Sequence, residues 1–251
     1  MEEIERSEFP VKDIPLLMLT GCINPAGMIF TELQNPDLRL NQYVEAINFY
    51  LEKTEGKVLF VENSGFDISN HFDVSTKGRL EVLTFDGNNY DKVLGKGYGE
   101  MLIIKYAIDN SIFVNSSKSI CKITGRYKIL NVSNLLKNYI NSESNLMVQL
   151  CGKMKYSDSR FFIADRSFYE DFLINSLELI NDTKGVYFEH VLSKAVLRAI
   201  ISGYFYLPFK FHLRISGRSG TDNKNYNDSL FYWFPRNIIQ MLKFKLFCKD
   251  F

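Results

Sequence analysis

The sequence predicts an α/β fold in which a mostly parallel sheet is flanked by helices and followed by a helical C-terminal extension. Three observations carry this prediction. Short apolar runs alternate with amphipathic helical patterns over residues 14–150. Several of these runs end in polar loops that contain glycine, as expected where parallel strands present their carboxyl ends to a ligand. A hydrophobic content of 46% in 251 residues is enough to bury a large core.

The first predicted elements follow one another as strand, helix, strand and strand. Residues 14–19 are apolar and end at a polar loop, which predicts a buried first strand. Residues 39–53 place apolar side chains at spacings of three and four, which predicts an amphipathic helix. Residues 57–62 predict a second strand, parallel to the first because a helix connects them. Residues 80–85 predict a third.

The alternation continues and then gives way to helices. The further predicted elements are a helix from about residue 100 to 110, strands over 119–128 and 146–150, helices over 167–180 and 186–201, a polar loop over 216–227, and a last helix. The change after residue 155 indicates a second, more helical half of one domain.

Composition and charge argue against several classes of protein. Lys and Arg number 30 against 29 Asp and Glu, so no overall positive field favours nucleic acid. The four cysteines are far apart and lack a C-x-x-C pair, which argues against a zinc site or a disulfide framework and for a reducing compartment. No apolar run approaches the ~20 residues of a membrane-spanning helix, and the acidic N-terminus lacks a signal segment. We expect a cytoplasmic or peripheral protein.

The most distinctive motif is Gly-Lys-Gly-Tyr-Gly-Glu at residues 95–100, directly before a helical pattern. Alternating glycines let the backbone approach a ligand, the start of a helix offers free N–H groups, and Lys122 and Arg126 add positive charge later in the chain. This combination predicts a site for a phosphate-bearing ligand. The motif is neither G-x-G-x-x-G nor a P-loop, so a plain glycine loop is the alternative.

Four polar loops follow predicted strands, at residues 20–25, 62–65, 86–89 and 124–127. Each contains glycine and could be an ordinary turn. Because the carboxyl ends of parallel strands share one edge of a sheet, we expect the four loops to surround one binding site.

Several of these residues match the motifs of a known enzyme family. The chain resembles bacterial glycosyltransferases of surface-polysaccharide and lipopolysaccharide assembly over about residues 14–235. The resemblance rests on Asn24-Pro25, on Arg39 and Tyr43 of the first helix, on residues 58–67, on the glycine motif, and on Lys-x-Thr-Gly-Arg-Tyr at 122–127. It implies a GT-A-like (Rossmann-like) fold that transfers a sugar from a nucleotide-sugar donor to a glycan or lipid-linked acceptor.

The resemblance also implies an organisation and a set of site residues. A catalytic domain would span residues 1–235, with a nucleotide-sugar-binding half over about 14–155 and an acceptor-binding half over 156–235, and a basic amphipathic tail would span 236–251. Donor contacts would come from Asn24, Glu62, Asn63 and Asp86 at the base and ribose, from Lys96, Gly97, Thr124, Arg126 and Tyr127 at the diphosphate, and from Arg214 and Ser219 on a late closing loop.

Inverting sugar transfer needs a base that removes the proton of the acceptor hydroxyl. Glu189, near the start of a long helix where similar enzymes carry an acid, is the first candidate. His190 and Asp67 are alternatives, and a glutamate in a first helical turn can also serve only the helix dipole.

The chain departs from the family at the metal site. Many GT-A enzymes have Asp-x-Asp after the fourth strand, where this chain has Thr-Gly-Arg-Tyr. Arg126 and Tyr127 could neutralise the leaving phosphate instead, so we expect that a divalent metal is not required. Magnesium binding by Asp158 or Asp165 stays open.

The tail mixes large apolar residues with Arg236, Lys243, Lys245 and Lys249. Such a segment suits the anionic inner face of the cytoplasmic membrane, and it could equally dock on the body or on another subunit. Two other functions remain compatible with the sequence as a whole, namely a sugar nucleotidyltransferase and a nucleotide- or glycan-binding module without turnover.

Overall fold

A computed structural model describes residues 12–28, 31–73, 76, 78–219, 224–227 and 229–248. Its strands are β1 (Leu16–Gly21), β2 (Val58–Glu62), β3 (Leu80–Thr84), β4 (Ser119–Thr124), β5 (Lys128–Ile129), β6 (Leu146–Met147), β7 (Leu150–Cys151), β8 (Tyr156–Ser157), β9 (Phe161–Asp165), β10 (Tyr206–Leu207), β11 (Ile215–Arg218) and β12 (Asn225–Asn227). Its α-helices are α1 (Pro36–Lys53), α2 (Lys96–Asn110), α3 (Ile112–Asn115), α4 (Val132–Ile140), α5 (Arg166–Phe168), α6 (Phe188–Ile201) and α7 (Leu230–Phe247). Short 3₁₀ turns occupy Ser69–His71, Lys92–Leu94, Ile174–Leu179 and Asp182–Lys184, and a π turn occupies Tyr169–Leu173.

Seven strands of the described residues form the central sheet in the order β10-β6-β9-β4-β1-β2-β3. β1 pairs in parallel with both β2 and β4, and β2 pairs in parallel with β3. β9 is antiparallel to its neighbours β4 and β6. The α/β fold with a mostly parallel sheet, flanking helices and a C-terminal helix is therefore confirmed.

Helices cover both faces of the sheet because the strands are apolar on both. Leu16 and Met18 of β1 pack in one core with α2 and α6. The alternate residues Leu17 and Leu19 pack in the other core with α1 and α4. Side chains alternate between the faces of a strand, so a strand buried on both sides reads as the continuous apolar run seen in the sequence.

The glycine motif differs most from its prediction. We expected a loop before a helix that starts near residue 100, but α2 begins at Lys96 and the motif forms its first turn. Gly95 precedes the helix at φ +85°, a conformation that favours glycine.

Other boundaries were wrong for local reasons. The predicted strand over 119–128 ends at Thr124, where the chain turns before the short β5. The predicted strand over 146–150 is divided into β6 and β7. The predicted helix over 167–180 is a series of α, π and 3₁₀ turns. The predicted loop over 216–227 contains the β11–β12 hairpin. The antiparallel strand β9 was not predicted.

The last helix, α7, begins at Leu230 and continues through Pro235, so the proposed tail from residue 236 onward continues a helix that starts before it. Lys249 and the glycine and threonine at 220 and 221 lie outside the described residues.

Gly125 has a packing role that generates a testable prediction. Its N–H donates to the Thr20 carbonyl oxygen at 2.9 Å, and a Cβ atom added to it would lie 2.6 Å from that oxygen. We expect Gly125→Ala to lower the free energy of unfolding by about 1–3 kcal/mol in denaturant titrations, since β1 and β4 would have to separate. Gly78→Ala is the control, because nothing lies within 4 Å of its added Cβ. Equal stability of the two variants would contradict this packing role.

Candidate functional site

A cavity of about 270 Å³ opens at the carboxyl edge of the parallel strands. The ends of β1, β2 and β4 reach it through Gly21, Asn63 and Thr124, and the first turn of α2 and the start of α6 close its other side. We call it the main cavity. It lies where open α/β sheets bind ligands.

Glu62 organises the loops behind the main cavity and does not line it. The side chain is fully buried, and its carboxylate accepts the backbone N–H groups of Ile23, Ser64 and Phe66 at 2.8–3.0 Å. The Ser64 hydroxyl also donates to it. With these four donors bound, the carboxylate fixes the loops after β1 and β2 from behind.

A buried arginine gives this end of the cavity positive charge. Arg39 donates to the carbonyl oxygens of Cys22 and Leu33 at 2.7 and 3.1 Å and to the Tyr43 hydroxyl at 3.3 Å. These acceptors are neutral, so they hold the guanidinium without cancelling its charge. Burial raises the pKa of Cys22 to about 11, and this lining thiol therefore stays protonated near neutral pH.

Lys122 does not present its charge to the cavity as the sequence suggested. Its side chain is 0% exposed and forms an ion pair with Glu100 of α2. The ammonium also donates to the Ser159 carbonyl oxygen at 2.7 Å and to the Thr124 hydroxyl at 3.3 Å. A charge this deeply buried needs such a partner, so the pair belongs to the support of the site.

Arg126 is, with Arg39, a buried cation that lines the main cavity. It is 6% exposed, and its Nη1 donates to the Gln42 side chain and the Arg218 carbonyl, each at 3.1 Å. Tyr127 lies beside it and contacts the ring of Tyr226 edge-on at 5.2 Å. Burial, and then the Tyr226 hydroxyl, raise the pKa of Tyr127, which keeps it a neutral phenol.

Asp182 occupies the N-terminus of α2, at the glycine motif. Its Oδ2 accepts the N–H of Gly97 at 3.4 Å, and it is 4% exposed. Methyl groups on Gly95 or Gly97 would press against this carboxylate. Burial raises the pKa of Asp182, and the Gly97 N–H and the charge of Lys96 oppose that shift. The glycines therefore make room for a carboxylate of the chain itself.

Glu189 enters the cavity from the first turn of α6. Its Oε1 accepts the Ser159 hydroxyl at 2.8 Å, and its backbone carbonyl accepts the Ser157 hydroxyl at 3.2 Å. Ser159 is also the residue whose carbonyl binds Lys122. The position of the carboxylate is thus connected to the buried ion pair.

The structure brings together eight of the residues predicted for the site. These are Asn63, Lys96, Gly97, Thr124, Arg126, Tyr127, Glu189 and Ser219, all of which line the main cavity. The other six are Asn24, Glu62, Asp67, Asp86, His190 and Arg214, which are not among its lining residues.

The residues outside the main cavity have local partners. Asp67 accepts the N–H and hydroxyl of Ser69, and the Nδ1 of His190 accepts the N–H of Tyr187 at the start of α6. The Asn24 side chain closes a turn on its own loop, and Arg214 lies 5.9 Å from the ring of Trp233. The exposed Asp86 bridges to the loop after β2 through its backbone.

Sequence reasoning missed several lining residues. Tyr90, Arg160, Asp182 and Tyr226 come from segments without a recognisable motif, and Cys22 lies within the predicted loop at residues 20–25 without a motif of its own. The one sequence feature that pointed to these residues as part of a site is the polar character of the turns around them.

The two acids considered for magnesium are engaged elsewhere. Asp158 binds the Arg160 guanidinium through both oxygens at 2.8 and 2.6 Å. Asp165 accepts from the Tyr139 hydroxyl and the Asn145 amide, each at 2.8 Å. Among the described residues, no three His, Cys, Asp or Glu side chains are grouped closely enough to hold a metal ion.

Three buried polar atoms of the lining residues have no hydrogen-bond partner among the described residues. They are Asn63 Oδ1, Arg126 Nε and Asp182 Oδ1. Buried polar groups in folded proteins are normally paired, so each exception needs a physical reason. A ligand bound to the residues of the main cavity is one such reason.

Comparisons with known proteins give distant structural similarity. No protein-family model and no curated protein sequence matches this chain. A cytidylyltransferase from Leptospira borgpetersenii is 10% identical with a TM-score of 0.44, over 87% of this chain and 83% of that one. TarS of S. aureus, solved with UDP, is 10% identical with a TM-score of 0.39, over 78% and 60%.

The mannosyltransferase Ktr4p of S. cerevisiae is 10% identical with a TM-score of 0.40, over 84% of this chain and 72% of that one. By their names, two of these three proteins are transferases, one a cytidylyltransferase and the other a mannosyltransferase. Identities and TM-scores this low assign no activity to the chain.

Proposed function

We propose that this chain is a glycosyltransferase that moves a sugar from a nucleotide-sugar donor to a glycan or lipid-linked acceptor. One observation carries the proposal: three residues that line one cavity, Asn63, Arg126 and Asp182, each have a buried polar atom without a hydrogen-bond partner among the described residues. Leaving a buried polar atom unpaired costs about 1–3 kcal/mol, so a ligand that pairs all three gains substantial affinity. A nucleotide sugar carries N–H and O–H donors together with an anionic diphosphate.

Asn63 is suited to the nucleoside. Its backbone N–H donates to the Gly21 carbonyl at 3.2 Å, and its carbonyl accepts the Gly87 N–H at 2.9 Å. The main chain is fixed by these bonds, and the amide oxygen is left to accept a base N–H or a ribose hydroxyl.

Arg126 is suited to the diphosphate. Its Nη1 is held by Gln42 and Arg218, so the guanidinium is oriented before a ligand binds. Arg39 adds a second buried positive charge, and Lys96 lies at the rim on α2. Oriented cations bind phosphate at a low entropic cost and stabilise the charge that develops when a phosphate leaves.

Glu189 is suited to be the base. In direct displacement, the acceptor oxygen forms a bond to the anomeric carbon while the bond from that carbon to the donor phosphate breaks. The electron pair leaves with the nucleotide beside Arg126, and Glu189 takes the proton of the acceptor hydroxyl. Ser159 holds the carboxylate in place for this step.

We place the reaction in bacterial surface-polysaccharide or lipopolysaccharide assembly at the cytoplasmic face of the membrane. This part of the proposal is supported by the resemblance of the motifs at residues 95–100 and 122–127.

Helix α7 supports contact with an anionic membrane. Trp233 and Gln240 bind backbone carbonyls of the body on one side of the helix. A different side exposes apolar residues at spacings of four, Leu230, Phe234, Ile238, Leu242 and Leu246, together with Phe231, which is 91% exposed. The helix carries Arg236, Lys243 and Lys245 and no acidic residue. This charge and this apolar stripe fit the headgroup region of an anionic bilayer. None of the described helices is both long and apolar enough to span a bilayer.

A ligand panel tests the proposed donor. The panel contains UDP, GDP, CMP and the matching nucleotide sugars, each with and without Mg²⁺ or Mn²⁺. We expect one nucleotide, together with its sugar conjugates, to raise the Tm of the protein. Arg126→Gln should lose most of that shift, whereas Arg236→Gln, an exposed arginine on α7, should keep it. No shift at millimolar concentrations would overturn the donor site. Turnover that releases pyrophosphate from a nucleoside triphosphate would identify a nucleotidyltransferase instead.

The role of Glu189 leads to a kinetic prediction. Glu189→Gln should lower kcat by about 10²–10⁴-fold and leave donor affinity within about twofold, because only proton removal is lost. The exposed Glu178→Gln is the matched control. A folded Glu189→Gln enzyme with wild-type kcat would show that another group is the base.

The membrane contact is tested by vesicle sedimentation. The chain should bind vesicles containing phosphatidylglycerol more strongly than phosphatidylcholine vesicles. Phe231→Ser with Leu242→Ser should weaken binding at least ~10-fold, since burying each side chain contributes about 1.5–3 kcal/mol. Ile112→Ser with Leu179→Ser removes exposed apolar groups outside α7 and serves as the control. Binding without lipid preference, or a dimer in solution that needs Phe231 and Leu242, would contradict membrane docking.

A further inference from the structure

The geometry points to Asp182 as the residue that accepts a hydrogen bond from a hydroxyl of the donor sugar. The inference rests on the proposed glycosyl transfer and assigns the sugar part of the donor to one end of the main cavity. The glycine motif, which the sequence assigned to phosphate, thereby has a different role.

The backbone turn that carries Asp182 is held firmly. Asp182 begins a 3₁₀ turn in which the Asn181 side chain accepts the N–H of Lys184 at 3.1 Å. Asn181 also exchanges backbone hydrogen bonds with Val186 at 2.9 and 3.0 Å. Gly185 closes the turn at φ +73°. A turn fixed in this way holds the backbone of Asp182 in one position.

The glycine motif is shaped around this carboxylate. A methyl group on Gly95 would collide with it, and a Cβ atom on Gly97 would lie 3.1 Å from its Oδ1. Gly99 instead makes room for the hydroxyl of Tyr90, which donates to the Gly95 carbonyl at 3.0 Å. The alternating glycines are therefore explained by contacts within the chain.

Among the described residues, one oxygen of the carboxylate has hydrogen-bond donors and the other has none. Oδ2 accepts the Gly97 N–H, whereas Oδ1 has no hydrogen-bond partner among the described residues, although Asp182 is 4% exposed and lines the main cavity. A plain helix cap would not need to leave a buried oxygen unpaired, and leaving it unpaired destabilises the free protein.

The chemistry of this oxygen selects the group it binds. An ionised carboxylate oxygen only accepts hydrogen bonds, so it favours O–H and N–H donors and repels phosphate. Glu189, the proposed base, lines the same cavity, and a Cβ atom on Gly97 would lie 3.1 Å both from Asp182 Oδ1 and from the Cβ of Phe188, the residue before Glu189. A base must lie near the anomeric carbon, so the sugar ring is the part of the donor beside Asp182.

The stability of the free protein gives the first test. Because burial raises the pKa of Asp182, the ionised group opposes folding at neutral pH, and this penalty disappears as the pH falls through the raised pKa and the group is protonated. Asp182→Asn should therefore have a Tm at pH 7 equal to or above that of the wild type, with the difference shrinking on acidification. A Tm several degrees lower at pH 7 would make Asp182 a structural cap and overturn the inference.

Binding affinities give the decisive test. The probes are UDP with UDP-glucose and UDP-galactose, and GDP with GDP-mannose, titrated by calorimetry into the wild type, Asp182→Ala and the surface control Asp109→Ala. We expect Asp182→Ala to weaken the nucleotide sugar of the preferred family at least ~10-fold and to leave the matching nucleotide within about twofold. A nucleotide conjugate of a deoxy sugar that lacks the contacted hydroxyl should bind the wild type and Asp182→Ala with equal affinity.

The outcomes separate the two proposals. Equal weakening of the nucleotide and its conjugate would place Asp182 at the nucleotide, and no weakening of either would remove it from the site; both overturn the inference and leave the glycosyltransferase proposal standing. A wild-type protein that binds none of these probes would overturn the donor proposal and this inference with it.

Discussion

The buried ammonium of Lys122 is the constraint on which the site depends. It lies on β4 near the centre of the sheet, where an unpaired charge would cost several kcal/mol (~3–5). Glu100 neutralises it from the first turns of α2, and the Ser159 carbonyl binds it from the loop before β9. The first contact fixes the glycine motif, and the second fixes the hydroxyl that holds Glu189. Two separate segments thus face one cavity because a single cation requires both.

The main cavity also keeps polar groups that folding alone would not favour. Arg39 and Arg126 are both buried, and the hydrogen-bond partners of each are neutral. Asp182 adds a carboxylate whose charge burial opposes. The apolar cores on both faces of the sheet provide the free energy that offsets these terms. Function and stability are in conflict here, as is usual where a site is organised before its ligand arrives.

Sequence patterns predicted the sheet and one edge of the cavity for the same reason. Continuous apolar strands are recognisable, and residues that directly follow them, such as Asn63 and Arg126, must lie at the edge where those strands end. Burial and chain topology each hide one feature of the site from a reading of the sequence. The sequence does not reveal that backbone N–H groups saturate Glu62, so a structural acid was assigned to the ligand. It also does not reveal that Asp182 returns to α2, because that contact spans 85 positions along the chain.

The glycine motif illustrates what such patterns can and cannot specify. Spaced glycines before a helix indicate that an anion lies close to the backbone, since the helix N-terminus favours negative charge. They do not indicate whether the anion belongs to a ligand or to the chain, and here the Asp182 carboxylate lies at that position. A donor diphosphate placed beside it would be repelled, whereas Arg126 offers it a cation elsewhere in the same cavity. The charges of the chain thus favour an anion beside Arg126 and hydrogen-bond donors beside the start of α2.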